Sequence, residues 1–343
     1  MTGPRLVLRA DASHRLGSGH VLRLAALAEA AIDGGGAATL VVGDDPAASL
    51  VALDERGLPA VAADGVSGSP AEGAATIALA RSLAADAVVV DGPAFSPAYV
   101  AAVADAGLRV VAVDDLGLAP PPAEVVVNHN LGAEELAARY PAAATRLLGR
   151  RYHLLRREFR ALPAGGATPR GRVERLLITM GGSDPAGATA RVLGALPPGA
   201  LAVTVVLGPG FCADRALAVG LATAERAGHQ VELAYRPPDL AARMAGCDLA
   251  ISAAGGTLAE LAYLGRPTIA IAIAPDQLVN ARRHAAAGLA AGGWPLAAVD
   301  DRELTATIAA LIGDPLARRA LAAAATAATD GRGAARVVAH LAA

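Results

Sequence analysis

The sequence predicts an α/β protein built from two doubly wound domains, and three observations predict it. Short β-branched runs alternate with Ala/Leu-rich helical stretches along nearly the whole chain. Runs such as residues 87–91 (AVVVD) and 202–207 (AVTVVL) are continuously apolar rather than alternating, as strands of a parallel sheet covered on both faces must be. A Gly/Pro-rich segment at residues 161–172, ALPAGGATPRGR, fits neither period and divides the chain. With 343 residues, two domains of ordinary size are the natural expectation.

Each element follows from these periods. In the first half, strands are expected at 5–11, 38–43, 87–91, 109–114 and 124–128, with helices at 20–32, 74–85 and 97–106. In the second half, strands are expected at 175–180, 202–207, 230–234, 249–252 and 268–273. Helices fall at 187–196, 239–245, 257–264 and 277–288. Residues 303–343 read as two or three helices without a strand, one opened by Pro315 and one set apart by Gly331 to Gly333. The expected division is a first domain at 1–160, a linker at 161–172 and a second domain at 173–343 that includes the terminal helices. Repeated strand–helix–strand order is the mark of doubly wound sheets.

Composition narrows the function classes. Hydrophobic residues make up 54%, enough to fill two cores, yet no stretch of about 18 strongly apolar residues suggests a membrane span. The first twenty residues lead straight into a strand and lack the apolar core and cleavage site of a secretory signal. The expected location is the cytoplasm. Net charge is −2 and aromatics are 3%, so neither a basic face nor a stacking platform for nucleic acid is expected. Cys212 and Cys247 have no metal-ligand spacing and read as free thiols. No cofactor and no metal is expected. The expected state is a monomer or weak dimer.

Ligands of doubly wound sheets bind where strands lead into helices at their carboxyl ends. In ADASHRLGSGHVLR a strand ends at Asp11, Gly17 and Gly19 permit close backbone approach, and His20 opens a helix. The positive end of that helix is expected to lower the pKa of His20, favouring the neutral form of a general base. A histidine that merely packs at the helix start is the alternative. In ITMGGSDPAGA, Gly182 and Ser183 precede a helix, a pattern that suits a diphosphate. Ser183 or Asp184 as a helix cap is the alternative. In SAAGGTLAELAYLG, Gly255, Gly256 and Thr257 form a second loop of this kind, with Glu260 placed for ribose hydroxyls. Thr257 and Glu260 also match a capping box. Asp276 and Gln277 follow the next strand and are placed to bind sugar hydroxyls, with capping by Asp276 the alternative. Asp91, the pair Asp114 and Asp115, and Asn128 to Asn130 end first-half strands. Asp114 and Asp115 suit substrate binding, orientation of a base, or a turn cap.

Taken in order, RADASHRLGSGHVLR, VVAVDDLG, LLGRRYHLLRREF, ITMGGSDP and SAAGGTLAELAYLGRPTIAI with its following Asp-Gln resemble one family. That family is the UDP-2,4-diacetamido-2,4,6-trideoxy-β-L-altropyranose hydrolase of pseudaminic acid biosynthesis, together with its spore-coat polysaccharide relatives. The second half also resembles the donor domain of the transferase that adds N-acetylglucosamine to lipid-linked muramoyl peptide, including the Gln-x-x-Asn-Ala element from Gln277 to Ala281. The resemblance implies a GT-B-like fold of two Rossmann-type domains facing a cleft. It implies inverting, metal-independent hydrolysis of a UDP-linked amino- or deoxy-sugar. His20 would activate water. Gly17 and Gly19 would form its loop. Gly182, Ser183, Gly255, Gly256, Thr257 and Glu260 would hold the nucleotide. Asp11, Asp114, Asp115, Asp276 and Gln277 complete the expected substrate site.

The sequence departs from the family in three places. Gly92 and Pro93 stand where a His or Tyr usually follows the VVVD strand, Leu258 and Ala259 follow the second loop without its Trp, and Asp276 replaces an Asn. A glycosyltransferase using the same donor differs only in the nucleophile. A non-catalytic nucleotide-sugar binder is the remaining alternative.

Overall fold

A computed structural model describes residues 3–13, 16–115, 117, 122–166 and 170–342. Residues 14–15 of the first loop, Leu116 of the VVAVDDLG motif and 167–169 of the expected linker lie outside them. The chain forms two compact units, Met1–Arg157 with Gly331–Ala343, and Glu158–Asp330.

The first unit runs β1 (Arg5–Ala12), α1 (Gly19–Asp33), β2 (Ala37–Asp44), α2 (Ala47–Asp54), β3 (Ala60–Ala62), α3 (Pro70–Ser82), β4 (Ala87–Asp91), α4 (Pro97–Asp105), β5 (Arg109–Val113), β6 (Val125–Asn128) and β7 (Thr145–Leu148). A one-turn α5 (Arg157–Arg160) leads into the second unit. The strands form a seven-stranded parallel sheet in the order β3-β2-β1-β4-β5-β6-β7. Sequence chemistry sets the helix starts. Ser69 accepts from the Glu72 amide and Ser96 from the Tyr99 amide, each with a proline at the first helical position. On one face, Leu24 and Leu27 of α1 pack with Leu8 and Val89. On the other, Tyr99, Val100 and Val103 of α4 pack with Val88 and Val90.

The second unit runs β8 (Arg175–Thr179), α6 (Ala188–Gly194), β9 (Ala202–Leu207), α7 (Arg215–Arg226), β10 (Gln230–Tyr235), α8 (Leu240–Gly246), β11 (Leu249–Ala253), α9 (Thr257–Tyr263), β12 (Thr268–Ala272), α10 (Leu278–Ala286), β13 (Ala291–Pro295), α11 (Asp301–Gly313) and α12 (Pro315–Ala327). Its sheet has six parallel strands in the order β10-β9-β8-β11-β12-β13. The last helix, α13 (Gly333–Leu341), returns to the first unit, where Val337, Val338 and Leu341 join the core against α1. This corrects the expectation that the terminal helices all belong to the second domain. The reason is a tight fit: a Cβ on Gly333 would lie 2.2 Å from the His153 carbonyl oxygen. The expected linker is also part of the second unit. The Gly165 amide donates to Tyr263, and the Arg318 guanidinium donates to the carbonyls of Arg170 and Gly171.

Six of these elements escape the sequence reading, the one-turn α5 among them. β3 and β7 are only three and four residues long. β13 carries Gly292 and Gly293 at positive φ and a register shift against β12, which hides a strand period. α2 is short, and α7 carries Gly220 near its middle, which weakens its helical signal in sequence. That glycine is there for packing, since a Cβ on it would lie 2.6 Å from the Ala190 carbonyl of α6. Among the described residues no helix is long and apolar enough to cross a membrane.

Candidate active site

The order of the first sheet decides where its chemistry sits. From β1 the chain moves outward through β2 and β3, then crosses back to β4 on the other side of β1. The loops leaving β1 and β4 therefore diverge, opening a crevice at the carboxyl ends of the two strands. β1 leads to α1, whose second residue is His20, and β4 ends in Asp91.

The two side chains meet there. His20 Nδ1 lies 2.8 Å from Asp91 Oδ1. A carboxylate only accepts, so the pair puts a proton on Nδ1, and in the neutral ring Nε2 is the nitrogen that keeps a lone pair. Asp91 is fully buried, whereas the His20 side chain is 22% exposed. Arg23, one turn along α1, reaches both oxygens of Asp91 and, through Nη1, both oxygens of Asp115 at 2.8 Å. Asn130 Nδ2 donates to Asp115 Oδ1 at 2.8 Å.

These charges set the titration of the site. Burial presses the His20 pKa down, but the Asp91 carboxylate outweighs it and holds the imidazole above its ordinary value, with Arg23 opposing and Asp115 assisting. The expectation that the helix terminus lowers this pKa is thereby corrected: the terminal dipole is a fraction of a charge, whereas Asp91 is a full charge in hydrogen-bond contact. Burial alone would raise Asp91, yet the adjacent Arg23 guanidinium takes it below the usual carboxylate range, and Asp115 is held low in the same way. His129, next to this cluster, is pushed down to about 4 by burial, with Arg23 adding to it. It is neutral at pH 7 and stacks on His153 with ring centroids 4.6 Å apart.

Two expected substrate residues of this unit have hydrogen-bond partners within the fold. Asp11 is 2% exposed and accepts from Arg9 Nη1 at 2.6 Å and Ser67 Oγ at 2.7 Å, while Arg9 Nε donates to buried Glu72 at 2.9 Å. A buried arginine needs such partners, and Asp11 Oδ1 serves as one. Asp114 accepts from the Gly117 amide at 3.0 Å and shapes a turn. Gly17 sits at φ +73 and its amide closes the first loop on the Ser13 carbonyl at 2.8 Å, while Gly19 opens α1 with free space around it.

In the second unit the chain turns outward from β8 and returns to β11, so the diverging loops are those carrying Gly182–Ser183 and Gly255–Thr257. Gly181 stands at φ +78 and Asp184 at φ +46. The Asp184 carboxylate accepts from the amides of Ala188 and Thr189 at 2.9 and 2.8 Å, capping α6. The loop is braced from behind. Gly210 donates to the Gly182 carbonyl at 2.9 Å, and a Cβ on Gly208 would lie 2.3 Å from that oxygen. At the second loop, α9 begins at Thr257 with Gly256 as its cap residue. Thr257 is inside the helix, so the capping box of Thr257 and Glu260 is not built, and Glu260 is buried at 8%. Gln277 accepts from the Ile273 amide at 3.1 Å, which turns its Nε2 toward Gly255. Asn280 donates to the Ala254 carbonyl at 2.8 Å. Asp276 is exposed in the short turn before α10 and does not cap it.

The sequence analysis passes over Arg23, because an arginine in the first turns of a helix reads as a solvent-facing residue. Its signal is the i, i+3 spacing from His20.

No family model matches the chain, and no curated protein matches it in sequence. Solved structures do. MurG of Acinetobacter baumannii superposes with a TM-score of 0.68 at 18% identity, covering 98% of this chain and 99% of that one. The spinosyn rhamnosyltransferase SpnG in complex with spinosyn aglycone gives 0.66 at 20% identity, with the same coverage. The UDP-GlcNAc 2-epimerase of Neisseria meningitidis bound to UDP-GlcNAc gives 0.64 at 13% identity, again covering 98% and 99%. With its two parallel sheets of seven and six strands, the chain has the GT-B fold of two Rossmann-type domains.

Proposed function

We propose that the protein is a glycosyltransferase acting on a nucleoside diphosphate sugar, UDP-linked in the first instance, with His20 as general base. The observation that carries this reading is the His20–Asp91 pair at the point where β1 and β4 diverge. Asp91 holds the Nδ1 proton, which leaves Nε2 to accept a proton from a nucleophile. In the proposed step Nε2 takes the proton of an acceptor hydroxyl, whose oxygen forms a bond to the anomeric carbon. The bond from that carbon to the diphosphate oxygen breaks with inversion, and the diphosphate leaves with the electron pair. The loops at Gly182–Ser183 and Gly255–Thr257 offer backbone amides to the departing charge. Glu260 is assigned to the ribose and Gln277 to the diphosphate sugar. Asp11 and Asp114 are left out of the proposed substrate set, since Arg9 and Ser67 hold Asp11 Oδ1 and the Gly117 amide holds Asp114 Oδ1.

Support for transfer comes from the fold comparisons, in which SpnG is a rhamnosyltransferase carrying its aglycone. A second reading, attack by water, is favoured by the ordered motifs that resemble the nucleotide-sugar hydrolases. The two are separated by incubating the protein with UDP- and other nucleotide-linked sugars, with and without hydroxyl acceptors, and following the anomeric protons by NMR. Nucleotide release only when an acceptor is present supports transfer. Release at the same rate in water alone replaces it with hydrolysis. No turnover of any nucleotide sugar in either arm overturns both.

A further inference from the structure

Arg23 holds a geometry that the proposed reaction does not use. It lies one turn after His20 on α1, so both side chains leave the same face of the helix. Its side chain is 15% exposed. One edge of its guanidinium meets both oxygens of Asp91, at 2.5 Å each, and Nη1 meets both oxygens of Asp115. Asp115 is in turn held by Asn130. A planar fork in this position fixes the plane of a carboxylate as a lysine ammonium cannot. The oxygen it holds through Nη2, Oδ1 of Asp91, is the one that meets His20 Nδ1.

We infer that Arg23 is a positioning residue: gripped by Asp115, its guanidinium fixes the plane of Asp91 and so aims Asp91 Oδ1 at His20 Nδ1. The inference rests on reading His20 as the base. A buried carboxylate with no counterion would have two weaknesses as a partner. It could rotate away from the imidazole, and its full charge would keep the imidazole protonated, hence unable to accept a proton. Arg23 acts on both. Its Nη2 lies 3.0 Å from His20 Nδ1, where two donors share one acceptor and the cation opposes protonation of the ring. The described charged groups facing His20 are Asp91 at the end of β4, Arg23 on α1 and Asp115 after β5, with His129 after β6 buried and neutral. Asp91 and Asp115 draw the His20 pKa up, and Arg23 draws it down.

The test is an NMR titration of the His20 ring in the full chain, assigned by its loss in H20Q. Arg23→Gln is expected to raise the His20 pKa by about one unit, the size of effect expected from a charge in contact. Asp115→Asn is expected to lower it, since a carboxylate is lost and the guanidinium is less neutralised. Arg23→Lys keeps the charge without the fork. It is expected to restore the pKa most of the way while turnover stays reduced about tenfold or more. Shifts of the same sign in Arg23→Gln and Asp115→Asn, or no shift in either, overturn the inference. If Arg23→Gln does not fold, the absence of a downward shift in Asp115→Asn overturns it alone. The titration needs no substrate, so it stands even if no nucleotide sugar is turned over.

Discussion

His20 Nδ1 and Asp91 Oδ1 lie 2.8 Å apart, across 71 positions of sequence. The pair joins a partly exposed imidazole to a fully buried carboxylate, so each member has a distinct consequence when altered.

His20→Ala should lower turnover by about 10²–10⁴-fold, the usual worth of a general base, while leaving nucleotide affinity nearly unchanged, because the base acts on the transition state. Steady-state rates with calorimetry of UDP binding check this. Undiminished turnover in the variant would remove His20 from the role.

The pH dependence of kcat/KM should show an acid limb above pH 6.5, the ordinary histidine value. The base must be neutral to act, and its pKa is raised in the folded protein. In Asp91→Asn the limb should move to lower pH and the rate at its plateau should fall, since an amide neither stabilises the imidazolium nor fixes the tautomer as a carboxylate does. A profile unchanged by that substitution would separate Asp91 from catalysis.

The same pair bears on stability, with a sign that can be worked out. Asp91 has a depressed folded pKa, so its contribution is present above the unfolded value of about 3.9 and is lost as pH falls through the folded value. His20 has a raised folded pKa, so its contribution is complete below about 6.5 and is lost as pH rises through the folded value. Destabilisation by Asp91→Asn should therefore be greatest between about pH 4 and 6.5 and shrink on either side. Urea unfolding at a series of pH values measures it. A penalty that grew steadily toward acid would contradict the assignment.

Gly208→Ala should weaken nucleotide binding about tenfold or more without shifting the His20 titration. The new Cβ would meet the Gly182 carbonyl at 2.3 Å, and relieving such an overlap costs about 1–3 kcal/mol or moves the loop. Calorimetry with UDP and the His20 NMR titration read the two effects separately. Unchanged affinity would mean that the Gly182–Ser183 loop does not contact the nucleotide.

Gly43→Ala should act on stability instead. Its Cβ would meet Arg9 Nη2 at 2.4 Å and Asp11 Oδ1 at 2.5 Å, inside the buried network that holds Arg9. A loss of about 1–3 kcal/mol is expected, seen in thermal or denaturant unfolding. A stable variant with altered turnover would return Asp11 to the substrate site.

The sequence by itself determined the two-domain α/β class, the parallel sheets and most helix starts. These follow from local physics: β4 is buried on both faces and reads AVVVD, and Pro97 opens α4 where a helix is expected, whereas α3 starts at Pro70, four residues before the expected 74. It also brought out His20 and the two glycine loops, because strand–Gly–helix junctions are contiguous in the chain. It did not reach β13, whose glycines answer to neighbours such as the Ala270 carbonyl, only 2.8 Å from where a Cβ on Gly292 would sit. Only the tertiary structure decided which polar residues meet His20. Asp11, Asp91, Asp114 and Asp115 are alike in sequence, each an acid at the end of a strand. Strand order places Asp91 beside α1, whereas Asp11 meets Arg9 because the two lie two residues apart on one face of β1. It leaves Asp114 to a turn and gives Asp115 to Arg23. A carboxylate's role depends on the charge it faces, and which charge faces it is set by strand order and packing.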